Sequence, residues 1–322
     1  MPVLMSVLAA IIPMVLYLIV IWKMDKYEPE PIKFVLQHFF WGAFGAVFFG
    51  IIGSEIFSSQ ISVFIDDIEY LSFLETVAIA PIVEEIAKGI FLFATINSKK
   101  FDNLTDGLVY GGAIGLGFGM TENFLYFLAY GDTIEAWLYL VIIRSGFSAV
   151  MHCMSTATLG AFFGIAKFSG KKTRYFYGLV GLVIAILIHF LWNFSVSFQN
   201  TFSFGVFMIF AIVLIFFIIY RVSLKHEEII IKIELEDEAE KHLLPLSYIE
   251  ILSSQKRFKK GWINELIRKR FTKLATKLAF LKHEGKKYSG IKKEENEILI
   301  LQHRLDMQDL LKSNSAFIEL ED

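Results

Sequence analysis

The sequence predicts an all-α, polytopic membrane protein of about seven transmembrane helices with a helical cytoplasmic tail. Three observations carry that prediction. Apolar segments long enough to cross a bilayer as helices recur through residues 1–221. The loops between them alternate between basic and acidic. Charge is concentrated in residues 221–322, which hold twenty Lys and Arg and eighteen Asp and Glu. A chain that is 55% hydrophobic and 20% charged has the composition of a multi-span protein, and its net charge of −2 gives no reason to expect a nucleic-acid partner.

The spans are expected at 3–22, 34–53, 71–96, 106–130, 137–166, 177–198 and 203–221. The first has no basic residue before it and no small-residue cleavage site, so it reads as a retained helix rather than a signal peptide. The fourth repeats Gly107, Gly111, Gly115 and Gly119, with Gly112 and Gly117 beside them. Small residues on one face let helices approach closely in lipid, so close packing is expected there. The fifth is long and is expected to tilt or break near Gly146. Lys23, Lys26 and Lys33, then Lys99 and Lys100, then Lys167, Lys171, Lys172 and Arg174 mark one side. The alternate loops hold Glu55, Asp66, Asp67, Glu69, Asp132 and Glu135 and no Lys or Arg. By the positive-inside rule the N-terminus lies outside a cell membrane and the C-terminus in the cytoplasm. Residues 1–221 then form the membrane core and 222–322 the tail. In the tail, Ile263, Leu266, Ile267, Phe271, Leu274, Leu278 and Leu281 recur at helical spacing among many Lys and Arg. Such a helix either lies on the anionic leaflet or packs on its neighbours. The sole cysteine, Cys153, excludes an internal disulfide and a thiolate cluster and reads as a small core residue.

Ionisable groups inside the spans decide the function. Glu84, Glu85 and Lys88 fall near the middle of the third span, where each charge facing lipid would cost roughly 2.5–3.5 kcal/mol. The fourth span carries Glu122 and Asn123, the fifth Arg144 and His152, the sixth His189 and, one turn on, Asn193. At the helical rise, Glu84, His152 and His189 all lie within roughly 2 Å of their span midpoints, and Glu122 about 6 Å toward the outer side. Groups on four successive spans converging on one depth point to a single polar site in a helix bundle. Two imidazoles with carboxylates form a ligand set suited to Zn²⁺ with one position left for water. A remaining carboxylate would take a proton from that water, and Asn193 would donate to a developing oxyanion. Lys88 would hold one carboxylate ionised. The same residues without a metal still offer a carboxylate base and imidazole partners, and the pattern does not choose between the two.

Glu84-Glu85-Ile86-Ala87-Lys88 resembles the EExxK motif of the PrsW family of intramembrane proteases. Phe118-Gly119-Met120-Thr121-Glu122 resembles its FxxxE motif, extended by Asn123 and Tyr126. Arg144 with His152 resembles a third region, and His189-Phe190-Leu191-Trp192-Asn193 the closing HxxxN. The likeness covers residues 75–200. It implies a peptidase of the superfamily that includes CAAX-prenyl endoproteases, acting as a site-1 protease on a membrane-anchored anti-sigma factor or similar single-span protein. The expected catalytic set is Glu84, Glu85, Lys88, Glu122, His152, His189 and Asn193, with Glu84 as general base. Glu122, His152 and His189 form the expected metal set for Zn²⁺, or hold water, while Glu85 and Lys88 order the carboxylates. The competing readings are a proton- or cation-coupled transporter, whose relays use the same residue types, and a seven-span receptor or scaffold. No inverted repeat supports the first, and the second leaves the midplane carboxylates unexplained.

Overall fold

A computed structural model describes residues 3–98, 100, 101 and 103–318, with side chains through 312. Lys99, one of the charges used above for orientation, lies outside the described residues. The chain is an all-α membrane protein, and no strand occurs among the described residues. It divides into two compact units, one of residues 1–25 and 29–220 and one of 26–28 and 221–322.

Each predicted span is helical. The helices of the first unit are α1 (Val3–Met24), α2 (Ile32–Ile61), α3 (68–95), α4 (Leu104–Tyr130), α5 (Ile134–Ile165) and α6 (Lys171–Ser197), followed by the start of α7 (Phe202–Glu240). Five helical stretches, Val3–Met24, Ile32–Ile61, Ile134–Ile165, Lys171–Ser197 and Gln199–Glu240, are long and apolar enough to cross a membrane. The other two are α3, with Glu84, Glu85 and Lys88, and α4, with its glycines, Asp106 and Glu122. Two of the four helices that carry the polar site, α3 and α4, are thus the least lipid-like.

Helix α4 is the hub. Its Val109, Tyr110, Ala113, Ile114 and Leu116 share a buried core with Met14 and Leu18 of α1, Val35 and Phe39 of α2, Leu92 of α3, Cys153 and Leu159 of α5 and Ala185 of α6. Asn103 and Asp106 close its first turn in a reciprocal capping box. The glycine row packs as expected of small residues in lipid. A Cβ at Gly107, Gly111 or Gly115 would collide with the backbone carbonyls of Gly160, Thr156 or His152 on α5. On the opposite face one at Gly117 would strike the Phe39 carbonyl on α2.

The expected break near Gly146 is instead a change of helical winding. Helix α5 is continuous, with a π-turn over Arg144–Ser148. Similar π-turns interrupt α2 at Trp41–Ala46 and α3 at Glu75–Ile79. Wider winding re-aims the residues that follow, and in lipid every displaced carbonyl needs a new donor. Two are supplied from site helices: Thr121 Oγ1 donates to Ala43 O at 2.8 Å and Asn193 Nδ2 to Thr76 O at 2.9 Å.

The second unit holds the rest of α7 with α8 (Ser247–Leu252), α9 (Glu265–Gly285) and α10 (Ile291–Ile318). Phe271, Ala275, Leu278 and Ala279 of α9 pack on Ile231 and Leu235 of α7, Leu252 of α8 and Met307 of α10. Apart from Leu266, which is exposed, the apolar face of α9 is therefore covered by its neighbours, the second of the two readings above. Tyr27 is buried in the same core, and Glu28 pairs with Lys277 at 2.7 Å.

The glycine row gives a paired stability test. Gly115→Ala should destabilise the protein by about 1–3 kcal/mol, as overpacking against backbone does. Gly146→Ala, whose Cβ would meet nothing within 4 Å, should leave it unchanged or slightly more stable, because alanine is the better helix former. Thermal unfolding in detergent micelles distinguishes the two; equal effects would contradict the packing described.

Candidate active site

Helices α3, α4, α5 and α6 bring their polar residues to one cluster. On α3, Glu85 and Lys88 are wholly buried, and the Glu84 side chain is 15% exposed. Spacings of three and four put both carboxylates within reach of one ammonium. Lys88 Nζ lies 2.9 Å from Glu85 Oε1 and 3.6 Å from Glu84 Oε2. It also lies 3.0 Å from His152 Nδ1 on α5 and 3.9 Å from the centre of the Phe118 ring on α4. A buried ammonium thus meets two carboxylates, an imidazole and a π-face, each of which favours positive charge.

Glu85 is the most heavily bonded acid. Besides Lys88, it accepts from Ser155 Oγ at 3.0 Å, from Thr156 Oγ1 at 3.3 Å and from His189 Nδ1 at 3.0 Å. A carboxylate can only accept. His189 therefore carries its proton on Nδ1 and turns a bare Nε2 inward, where Glu84 Oε2 lies 3.8 Å away. His152 is fixed the other way. An ammonium can only donate, so Lys88 takes the lone pair of Nδ1, and Nε2–H of His152 donates to Glu122 Oε2 at 2.6 Å. The two imidazoles stand edge to face with centres 4.7 Å apart.

Glu122 Oε2 also pairs with Arg144 Nη2 at 2.7 Å. Arg144 Nε donates to Asn123 Oδ1 at 3.1 Å, and the guanidinium lies 3.6 Å from the centre of the Tyr126 ring. Contacts thus run unbroken from Arg144 through Glu122, His152, Lys88 and Glu85 to His189. Glu84 is less tightly held: its Oε2, 3.6 Å from Lys88 Nζ, is buried and makes no hydrogen bond.

Of the residues singled out in the sequence, Glu84, Glu85, Lys88, Glu122, His152 and His189 meet here. Asn193 lies one turn beyond His189 and spends an amide hydrogen on Thr76 O. One donor atom each of Glu84, His152 and His189 lie within 4.8 Å of one another. Two imidazoles and a carboxylate whose buried oxygen lacks a hydrogen bond are a chemistry that fits a bound metal ion. Glu122, the carboxylate of the expected metal set, bonds His152 and Arg144 instead of lying in this three-donor group. Asn123, Arg144 and Phe118, named in the sequence for their place in the spans or motifs, lay outside the expected catalytic set, and Ser155 and Thr156 were not singled out at all. Phe118 and Glu122, and His152 with Ser155 and Thr156, stand three or four apart on their helices, and that spacing was the available signal.

A family model described as PrsW family intramembrane metalloprotease matches residues 30–221. Curated relatives that bear the name Protease PrsW are also similar to the chain. That of Clostridioides difficile is 28% identical over 209 residues, covering 64% of this chain and 85% of the relative. That of Geobacillus kaustophilus is 31% identical over 169 residues, covering 52% and 69%. That of Oceanobacillus iheyensis is 29% identical over 231 residues, covering 70% and 99%. No solved structure matches the chain.

The contact network makes a definite stability prediction. Lys88→Met leaves Glu84 and Glu85 without their buried countercharge and should cost about 3–5 kcal/mol. The double variant Glu85→Gln/Lys88→Met should recover part of that loss. Thermal unfolding in micelles reads both; a Lys88→Met protein as stable as the parent would refute the network.

Proposed function

Because the chain belongs to the PrsW family of intramembrane proteases, it is an intramembrane endopeptidase, and we propose that Glu84 is the residue on which its hydrolysis turns. One observation carries this: Glu84 Oε2 is a buried acceptor without a donor, facing the bare Nε2 of His189 across 3.8 Å. A water held between the two would lose its proton to Glu84 as its oxygen attacks the scissile carbonyl. Glu85 keeps His189 in the required tautomer, and Lys88 holds the carboxylate pair in place. Asn193 retains a second amide hydrogen after its bond to Thr76 O and would donate it to the oxyanion. Glu84 would then return that proton to the leaving amine, while Glu122, braced by His152 and Arg144, would hold the water.

The metal implied by the family description is proposed to be zinc. Glu84, His152 and His189 would hold it. Bound there, it would supply Lewis-acid polarisation of the carbonyl and a more acidic attacking water. In that state Glu122 is the carboxylate left to accept the proton. The metal-free reading is supported by a specific observation, since both nitrogens of His152 are already committed, to Lys88 and Glu122.

The proposed substrate is a membrane-anchored anti-sigma factor or similar single-span protein. Residues 1–221 would be the protease core of a seven-span protein in the cell membrane, with its N-terminus outside and residues 222–322 a cytoplasmic tail. Support for that orientation is the loop-charge asymmetry. The outward offset of Glu122 and Asn193 supports a cut on the extracytoplasmic side.

Glu84→Gln and His189→Ala should each reduce cleavage of a single-span substrate by at least about 10²-fold, while the purified variants still show cooperative thermal unfolding. Cleavage at the parental rate by either folded variant would sink the assignment. Metal analysis with a chelator series decides the cofactor. Loss of activity that Zn²⁺ restores establishes the zinc reading, and full activity of a metal-free preparation establishes the metal-free one.

A further inference from the structure

The second unit carries a surface whose charges are unpaired, in the part of the chain that the family match does not reach. On α9, Leu266, Lys269, Arg270 and Lys273 are exposed. Their spacing of three, four and seven puts them on one stripe, opposite the buried Phe271, Ala275 and Leu278. The segment before α9 adjoins this stripe. Arg268 Nη1 donates to the carbonyls of Arg257 and Phe258 at 3.3 and 3.4 Å, and Gly261 N donates to Glu265 Oε1 at 3.2 Å. These bonds fold residues 257–261 against the first turn of α9, and Phe258, Lys259 and Lys260 are exposed beside it.

Other basic side chains of the unit are engaged: Lys256 by Glu250, Lys282 by Asp237 and Glu238, and Arg304 by Glu238. By contrast the side chains of Lys259, Lys260, Lys269, Arg270 and Lys273 neither donate a hydrogen bond nor form an ion pair among the described residues. Two large apolar side chains lie with them, Phe258 at 49% exposure and Leu266 at 82%. The core of the unit uses neither.

We propose that this surface docks on anionic phospholipid headgroups. Five unpaired cations complement lipid phosphates, and Phe258 and Leu266 would enter the boundary between headgroups and acyl chains. A soluble polyanion would satisfy the cations but has no use for the two apolar residues. The tail begins at Arg221, directly after the last apolar span, so the covalent link alone keeps the surface within reach of a leaflet. The inference needs only that the chain is membrane-embedded and does not depend on how the active site works.

The test uses the full chain in nanodiscs, with an environment-sensitive fluorophore on Leu266→Cys. Native Cys153 is buried, and a parallel labelling of the parent chain controls for it. In nanodiscs containing phosphatidylglycerol the emission should shift to the blue relative to pure phosphatidylcholine. The shift should vanish at about 1 M salt, where the Debye length is about 3 Å. It should also be lost when Lys259, Lys260, Lys269 and Arg270 are all changed to Glu, exposed substitutions checked for intact fold by unchanged substrate cleavage in detergent. No shift in anionic nanodiscs, an equal shift in both lipids, or a shift produced only by added RNA or an acidic protein would each overturn the proposal.

Discussion

One buried ammonium holds the membrane site together. Lys88 has no exposure, and its charge is shared among Glu84, Glu85, His152 and the face of Phe118. Without it, two carboxylates on adjacent positions of one helix would face each other in a medium that screens poorly. With it, Glu85 becomes a fixed acceptor and His152 a fixed donor, and the two histidines are locked in opposite tautomers. The ammonium thus does more than neutralise: it fixes the tautomer of His152 directly and that of His189 through Glu85. Such control of a ring by the partner of its other nitrogen is how enclosing residues tune histidine in metal and hydrolytic sites alike.

The scaffold serves this contact through backbone proximity and helical winding. Helix α4 approaches α5 so closely that its glycines touch carbonyls, including that of His152. This places Phe118 and Glu122 beside Lys88 and His152 without large intervening side chains. The π-turns in α2, α3 and α5 widen the winding near the site, and Arg144 begins the last of them. Thr121 and Asn193 then satisfy carbonyls in the first two. The residues next to, or one turn from, the reactive groups therefore hold the backbone that aims them.

Much of this was legible in the sequence because bilayers penalise charge so heavily. Glu84, Glu85, Lys88, Glu122, His152 and His189 stood out in apolar spans, and helical spacing with a common depth was enough to group them. The glycine spacing in α4 likewise announced close packing. Finer pairings were not legible, because they depend on rotation of one helix against another. Composition cannot say that Glu84 rather than Glu122 shares a pocket with both imidazoles. Nor can it say that Asn193 bonds a π-turn carbonyl, or that the long fifth span winds wider instead of breaking. Ser155 and Thr156, and the role of the motif residue Phe118, were missed because two hydroxyl donors and a cation's π-face belong to residue types common in any transmembrane helix. In the tail, the basic helix could be read as lipid-facing or packed; only the structure separates its covered apolar face from its bare basic one.

The central claim is that Lys88 and Glu85 set the two imidazoles in opposite tautomers. Nitrogen-15 NMR of histidine side chains in the metal-free protein, assigned with single His→Gln variants, measures this directly. The account predicts a proton on Nδ1 of His189 with a bare Nε2, and a proton on Nε2 of His152 with Nδ1 accepting from the ammonium. The same tautomer at both positions, or His189 protonated on Nε2, would contradict it.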